Sequence, residues 1–304
     1  MAPTDAVARP TNDSYHLQLL QRITAAYPHL SIATARLHTA EGQFNDILIV
    51  NEALIFRFPR SPHVAATLAA ETALLTGLQG HLPLPIPNPI YQARDPQTGA
   101  LQFMGYPLLP GQPLWRAAFD AIADDQVLDH LAAQLAGFLR ALHTLPPAAL
   151  GAAVPVGDTV DARADMLRQF QAQLYSFMRP DAREDVTQLF TMLLDDLRHN
   201  PIRPAPRHGD FGTGNILYDP QAPTITGIID FGFGGVGDPT LDVAALAASY
   251  GEAFIARCAT SYPAMAQMLP RARLYEGTYA LQQALYALRD GNAGDFADGI
   301  AAYV

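Results

Sequence analysis

The 304-residue sequence contains no lysine: all nineteen of its basic residues are arginines. Any chemistry that elsewhere uses a Schiff base or an ammonium point charge on phosphate is therefore missing or given to the arginine fork. The single cysteine, Cys258, excludes an intrachain disulfide and a cysteine-rich metal site, and suits a reducing compartment. Long apolar runs of about 18 residues are absent, and residues 1–14 are polar, with no basic region ahead of an apolar one. The expectation is a cytoplasmic protein with no membrane partner. Positive charge is also scarce. Nineteen basic against 29 acidic side chains leave a net charge of −10, which excludes a general nucleic-acid binder, because phosphate backbones require a basic face.

Apolar residues are plentiful, at 49% against 16% charged, so the chain can bury a sizeable core. Its length is twice that of a common domain of about 150 residues, which favours two domains or two lobes. Residues 1–106 carry a net charge of −1 and residues 107–304 a net of −9. That asymmetry fits either a cationic partner for the second part or a solvated acidic surface.

The first part reads as a helix over 15–27, a hairpin of 47–50 and 54–58 about the turn Asn51-Glu52, and a helix over 63–78. Gly80 and four alternating prolines follow, then strands at 90–93 and 101–106 and a linker at 109–113. The second part is mainly helical, with apolar spacing that predicts helices over 124–143, 162–178 and 183–197. A β-hairpin within 206–230 interrupts it. The layout is α+β in two parts, 1–106 and 107–304.

One segment concentrates chemistry. His208-Gly209-Asp210-Phe211-Gly212-Thr213-Gly214-Asn215 is followed, fifteen residues after Asn215, by Asp230-Phe231-Gly232. A short hairpin would bring Asp210, Asn215 and Asp230 together. Two oxygen ligands and a free carboxylate are what Mg²⁺-assisted phosphoryl transfer needs. Turn formation accounts for any one of these residues, but poorly for the set.

The sequence resembles the aminoglycoside phosphotransferase family, the small-molecule branch of the protein-kinase-like fold, and most closely its 2″-phosphotransferase and related branch. Gln43-Phe44-Asn45-Asp46, Phe56-Arg57-Phe58-Pro59, Leu142-His143 with Pro146, the His208 to Asn215 loop, Ile229-Asp230-Phe231-Gly232 and Asp238-Pro239 with Asp242 come in the family's order. The resemblance implies a two-lobed kinase-like fold, with a β-rich N-lobe over 1–106 that binds nucleotide and a helical C-lobe over 107–304 that carries the catalytic loop. It makes Asp210 the catalytic base, Asn215 and Asp230 the Mg²⁺ ligands, His208 a brace for the loop, and Asp242 a hydrogen-bond acceptor for its backbone.

By the same resemblance Arg57 stands where kinase-like proteins usually place a phosphate-binding lysine, with Glu71 as its ion-pair partner. The phosphate loop falls at Glu41-Gly42-Gln43-Phe44-Asn45, and the purine lies along 104–109, beside Met104 and Tyr106. For the acceptor, a helix over 274–290 would carry Glu276, Tyr279, Gln283, Tyr286 and Asp290 on one stripe, with Glu252 as a further acid; a solvated face is the alternative. Many aminoglycoside enzymes of the family place an acid two residues beyond the D-F-G, where this chain has the uncharged Phe233 and Gly234. The implied activity is transfer of phosphate from ATP or GTP, with Mg²⁺, to a hydroxyl of an aminoglycoside or similar cationic molecule. Phosphorylation adds about −2 charge to such a polycation and so weakens its binding to RNA. A kinase for a macrolide or an amino alcohol, or a catalytically silent nucleotide-binding module, are the alternatives. The A-P-E that closes a protein-kinase activation segment is absent after Asp230.

Overall fold

The computed structural model describes residues 12–38, 44–151, 154–201 and 203–304. It has two compact units: residues up to Thr76 with Ile86–Leu109, and Gly77–Pro85 with Pro110–Val304.

The first unit contains α1 (Asn12–Ala26), β1 (Ala35–His38), β2 (Asn45–Val50), β3 (Leu54–Pro59), α2 (Pro62–Leu78), β4 (Tyr91–Arg94) and β5 (Leu101–Pro107). The strands form one antiparallel sheet in the order β1-β2-β3-β5-β4. Alternation along β3 decides what each face carries. Phe56 and Phe58 point into a core with Phe103, Leu48, Val50 and the α1 residues Leu19 and Ile23. Arg57, between them, points to the other face, where α2 lies. The β2–β3 turn places Asn51 and Glu52 in the left-handed region, and the Asn51 side chain accepts from the Ala33 and Thr34 amides.

The second unit begins with β6 (Gln112–Pro113), α3 (Arg116–Asp120), α4 (Asp125–Thr144), α5 (Val160–Gln173) and α6 (Pro180–His199). Then come β7 (Ala205–Arg207), β8 (Ile216–Asp219), β9 (Thr224–Ile228) and β10 (Gly235–Gly237). The chain continues through α7 (Thr240–Tyr250), α8 (Glu252–Ala259), α9 (Ala264–Glu276), α10 (Tyr279–Asp290) and α11 (Ala293–Ile300). Two small ladders, β6-β8-β9 and β10-β7, bracket the loop from His208 to Asn215. Asp124 and Thr159 cap α4 and α5 by accepting from the Gln126 and Ala162 amides.

Three local expectations change. Residues 112–113, expected within a linker, pair with β8 because Gly111, at a φ of 104°, turns the chain onto that strand. The helix expected over 162–178 ends at Gln173 and continues as a tight turn over Tyr175–Phe177. The helix expected over 274–290 is broken between Glu276 and Tyr279. There the Thr278 amide bonds the Tyr275 carbonyl, and the Thr278 hydroxyl accepts from the Gln282 side chain while donating to Tyr275, so a new helix starts.

Among the described residues no helix is long and apolar enough to cross a membrane. The helical core joins α5, α6, α10 and α11 through Phe170, Val186, Phe190, Leu281, Leu285 and Ile300. Phe170 and Phe190 meet edge to face at 5.5 Å. Truncating Phe190 to Ala should cost about 3–5 kcal/mol, read as a lower denaturation midpoint with an unchanged slope, because the helices around this ring cannot close the space.

Candidate active site

The loop that follows β7 is held from below by a carboxylate. Asp242, in the first turn of α7 and fully buried, accepts from the His208 amide at 2.9 Å, the Gly209 amide at 2.7 Å and the His143 Nε2 at 3.0 Å. Burial opposes its charge, yet the hydrogen bond and charge of His143 and the approach of His208 hold the carboxyl below the ordinary carboxylate range. Gly209 has a φ of 86°, and a Cβ there would run into the Phe233 carbonyl and Arg207 Nη1, so the loop requires glycine at this point.

His208 is buried between the rings of Phe211 and Phe231. Its Nδ1 accepts from the Asp210 amide at 3.2 Å, and its Nε2 faces the Ile229 carbonyl at 2.9 Å. A nitrogen that accepts and a nitrogen that must donate define the neutral imidazole with its proton on Nε2. The ring thus links the loop to the residue before Asp230. Phe211 stacks on Phe138 of α4, fixing the other side.

Asp210, Asn215 and Asp230 are brought together. The Asn215 side-chain Nδ2 donates to the Asp210 main-chain carbonyl and to Asp210 Oδ2, each at 2.9 Å, and the Asn215 main-chain carbonyl accepts from the Ile229 amide at 2.9 Å. Asp230 follows β9 in the left-handed region, at a φ of 61°, which turns its side chain out of the ladder. Desolvation raises the Asp210 carboxyl above its ordinary value. The nearby Asp230 and Asp242 charges add to the rise, while the Asn215 hydrogen bond acts against it. A cavity of about 360 Å³ opens on this group, lined by Asp210, Gly214, Asn215, Ala248, Ser249 and Tyr279. Ser249 Oγ accepts from the Thr213 amide at 3.2 Å. Among the described residues no three His, Cys, Asp or Glu side chains converge as a metal cluster.

In the first unit, Arg57 Nη1 lies 2.6 Å from Glu71 Oε1, and both side chains are largely buried. Met104 pairs with Arg57 across the sheet and with Gln92 on its other side, and the Thr72 hydroxyl reaches its sulfur at 3.1 Å. Tyr106 pairs with Ile55 of β3, past the end of the β4 pairing. Phe44 is exposed, and the Asn45 Oδ1 is buried with no hydrogen-bond partner. Glu41, Gly42 and Gln43 lie outside the described residues.

The acceptor residues are scattered. Tyr279 lines the cavity, and burial, with the Asp242 and Asp210 charges, pushes its hydroxyl well above the usual range. Glu276 ends α9 and Tyr279 starts α10, so the expected stripe is not one helical face. Asp290, at the far end of α10, lies about 16 Å along the axis from Tyr279. Glu252 is held by both of its oxygens to Arg273, at 2.5 and 2.7 Å. Sequence spacing missed a second support. Asp158 takes Arg163 at 2.5 Å, Arg207 and the Asp238 amide, and Arg207 Nη1 also binds the Phe233 carbonyl at 2.6 Å. The turn signature Gly157-Asp158-Thr159 was its only trace in the sequence.

A loop bracketed by two ladders and carrying Asp210 and Asn215, with Asp230 brought to it by β9, in a chain with a five-stranded sheet unit and a helical unit, defines a kinase-like phosphotransferase. The sequence pattern of the phosphotransferase enzyme family matches residues 38–275, and the chain belongs to that family. A viomycin phosphotransferase from Streptomyces vinaceus is 31% identical over 302 residues, covering 95% of this chain and 98% of that protein. The GDP and kanamycin complex of APH(2")-IIia superposes with a TM-score of 0.85 at 26% identity, covering 94% of this chain and 97% of the other. A macrolide 2'-phosphotransferase type I shares the fold, with a TM-score of 0.74 at 22% identity over 97% of this chain and 98% of its own.

Asp242→Asn leaves three donors facing an amide in place of a carboxylate, and should destabilise the protein by about 1–3 kcal/mol at neutral pH. A depressed folded-state pKa stabilises above the unfolded carboxylate pKa, and that contribution is lost as the pH falls through the lower folded value. The stability gap between wild type and variant, measured by chemical denaturation, should therefore be full at pH 7 and narrow in the acid range.

Proposed function

We propose that the protein is a small-molecule kinase that transfers the γ-phosphate of a nucleoside triphosphate to a hydroxyl of an aminoglycoside antibiotic or a similar cationic acceptor. The observation that carries this reading is the meeting of Asp210 and Asn215, on one braced loop, with Asp230 after β9. Asp210 orients the acceptor hydroxyl and takes its proton. The acceptor oxygen bonds to the γ-phosphorus as the bond to the bridging oxygen breaks, the nucleoside diphosphate leaves, and the proton passes from Asp210 to solvent. Most of the rate comes from positioning, which is the work of His208 and Asp242.

Mg²⁺ fits the donor set. The Asn215 amide nitrogen is turned to Asp210, so its oxygen is the atom left to ligate, and Asp230 adds a carboxylate. Two hard protein oxygens, completed by phosphate and water, are a usual arrangement for this ion, which when bound neutralises phosphate charge. On the nucleotide side, residues 1–106 would supply Arg57, oriented by Glu71, for the phosphates, the loop at Phe44 and Asn45, and the 104–109 backbone for the purine of ATP or GTP. Residues 107–304 would take the acceptor. The GDP and kanamycin bound by the 26%-identical neighbour support both assignments. Triphosphate supply suits a cytoplasmic setting.

A less cationic acceptor, such as a macrolide, is the second reading. It is favoured by the uncharged Phe233 and Gly234 and by the engagement of Glu252 with Arg273. Turnover of ATP and GTP, with and without Mg²⁺, against kanamycin, gentamicin, viomycin and a macrolide decides between the two. Phosphorylated product from none of them would overturn the kinase reading.

Asp210→Asn should lower kcat by roughly 10²- to 10⁴-fold with nucleotide affinity largely intact. Retention of about a tenth of wild-type turnover would remove Asp210 from the base role. Arg57→Ala should weaken triphosphate binding, and Arg57→Lys should restore only part of it, because the bidentate fork is lost. Calorimetric titration reads both. Full binding by Arg57→Ala would move the role to Arg60, which Asp46 holds at 3.0 Å.

A further inference from the structure

Trp115 is the only tryptophan in the chain, and 57% of it is exposed. Its backbone is firmly placed. Trp115 joins β6 to α3, the Leu114 amide donates to the Ile216 carbonyl at 2.8 Å, the Leu114 carbonyl accepts from the buried Tyr250 hydroxyl at 2.7 Å, and the Trp115 carbonyl accepts from the Phe119 amide at 3.0 Å. A rigid backbone thus holds an open ring.

The ring lies on the catalytic loop. A methyl group at Gly214 would stand 3.2 Å from Trp115 Cη2 and 3.5 Å from Cζ3, so the edge of the indole lies close against that glycine. Gly214 lines the same cavity as Asp210 and Tyr279. Arg116, the next residue, donates to the Ser249 carbonyl at 3.3 Å and so ties this segment to another part of the cavity wall.

Charge is thin in that cavity. Among the described residues Asp210 is the one carboxylate lining it; Asp230 and Glu276 stand outside the lining, Glu252 is engaged by Arg273, and Asp290 lies at the far end of α10. An ammonium-bearing acceptor therefore meets few carboxylates near the transferred phosphate. The π face of an indole attracts an ammonium and packs against the C–H face of a sugar ring, and its geometry does not change with pH.

We propose that Trp115 is the platform of the acceptor subsite: its indole face carries an amino-sugar ring or ammonium-bearing arm of the acceptor while the neighbouring hydroxyl is presented to Asp210. This rests on the kinase reading above and names a residue that the sequence pattern did not single out.

Being the only tryptophan, Trp115 reports its own contact. Kanamycin, gentamicin and viomycin should each be titrated against the full-length protein while tryptophan emission is followed, alongside steady-state kinetics of wild type, Trp115→Ala and Trp115→Phe. The expected result is a saturable emission change with the acceptors that are turned over. Trp115→Ala should raise acceptor KM by roughly five- to thirtyfold and leave nucleotide KM in place, with Trp115→Phe in between. Its melting temperature should stay near that of wild type, since the exposed ring buries little. Turnover with an unaltered acceptor KM in Trp115→Ala, or emission indifferent to a saturating acceptor that is phosphorylated, overturns the subsite and leaves the kinase reading standing. Absence of phosphorylation of any acceptor by the wild type overturns the kinase reading and the subsite with it.

Discussion

A buried carboxylate can remain charged only if its surroundings replace the water it has lost, and around Asp242 they do so with the backbone of one loop. Two of its donors are the successive amides of His208 and Gly209, and the third is His143 at the end of α4. The same hydrogen bonds that keep the charge tolerable therefore set where Asp210 starts. His208 extends this support upward. Its neutral ring accepts from the Asp210 amide and donates to the carbonyl before Asp230, so the two halves of the site share one rigid spacer. A loop without regular secondary structure thereby acquires the precision of a scaffold element.

The Asp158 network carries the outer side of the same region. Arg207 lies one residue before His208 and reaches both Asp158 and the carbonyl of Phe233, three residues past Asp230. Asp238 is buried beside it, bound by Tyr275 at 2.8 Å and Arg271 at 3.2 Å. Buried ion pairs of this kind add little net stability over apolar packing, but losing one partner leaves an uncompensated charge. Their value here is geometric, because Arg207 ties the strand that enters the loop to the segment after Asp230, and Arg163 and Arg271 hold the carboxylates around it. The absence of lysine is consistent with this use of cations: a planar fork serves buried bidentate contacts better than an ammonium does. In the first unit Arg57 does the same with Glu71, on the sheet face opposite the Phe56 and Phe58 core.

Recognition of the acceptor has a different character from the chemistry. The residues of the braced loop are multiply bonded, whereas the cavity wall beside them is built of small residues and one buried tyrosine hydroxyl. The net charge of −9 on residues 107–304 is spread over surfaces and ion pairs and is not gathered at the cavity. On the proposed kinase reading, long-range attraction of a cation and short-range selection of an acceptor would then be separate functions, the first served by diffuse acidity and the second by shape and an aromatic face.

Much of this was legible in the linear sequence wherever function needs fixed residue types at fixed short spacing. The run from His208 to Asn215, the Asp230-Phe231-Gly232 turn, and Arg57 between two phenylalanines are local patterns, and alternation along β3 alone turns Arg57 away from the core. The helices also announced themselves by period, although their ends did not. The break between Glu276 and Tyr279 depends on a threonine hydroxyl that finds its partners only after the turn has formed, and no periodicity records it. Distant partners were equally silent. Asp158 meets Arg207 across 49 residues, and Trp115 comes to rest on Gly214 across 99, because the pairing of β6 with β8 and of β7 with β10 closes those loops. Residue type and spacing determined which groups are capable of the chemistry. Only the tertiary structure decided which of them meet, since a contact between distant residues is created by the packing of the elements between them.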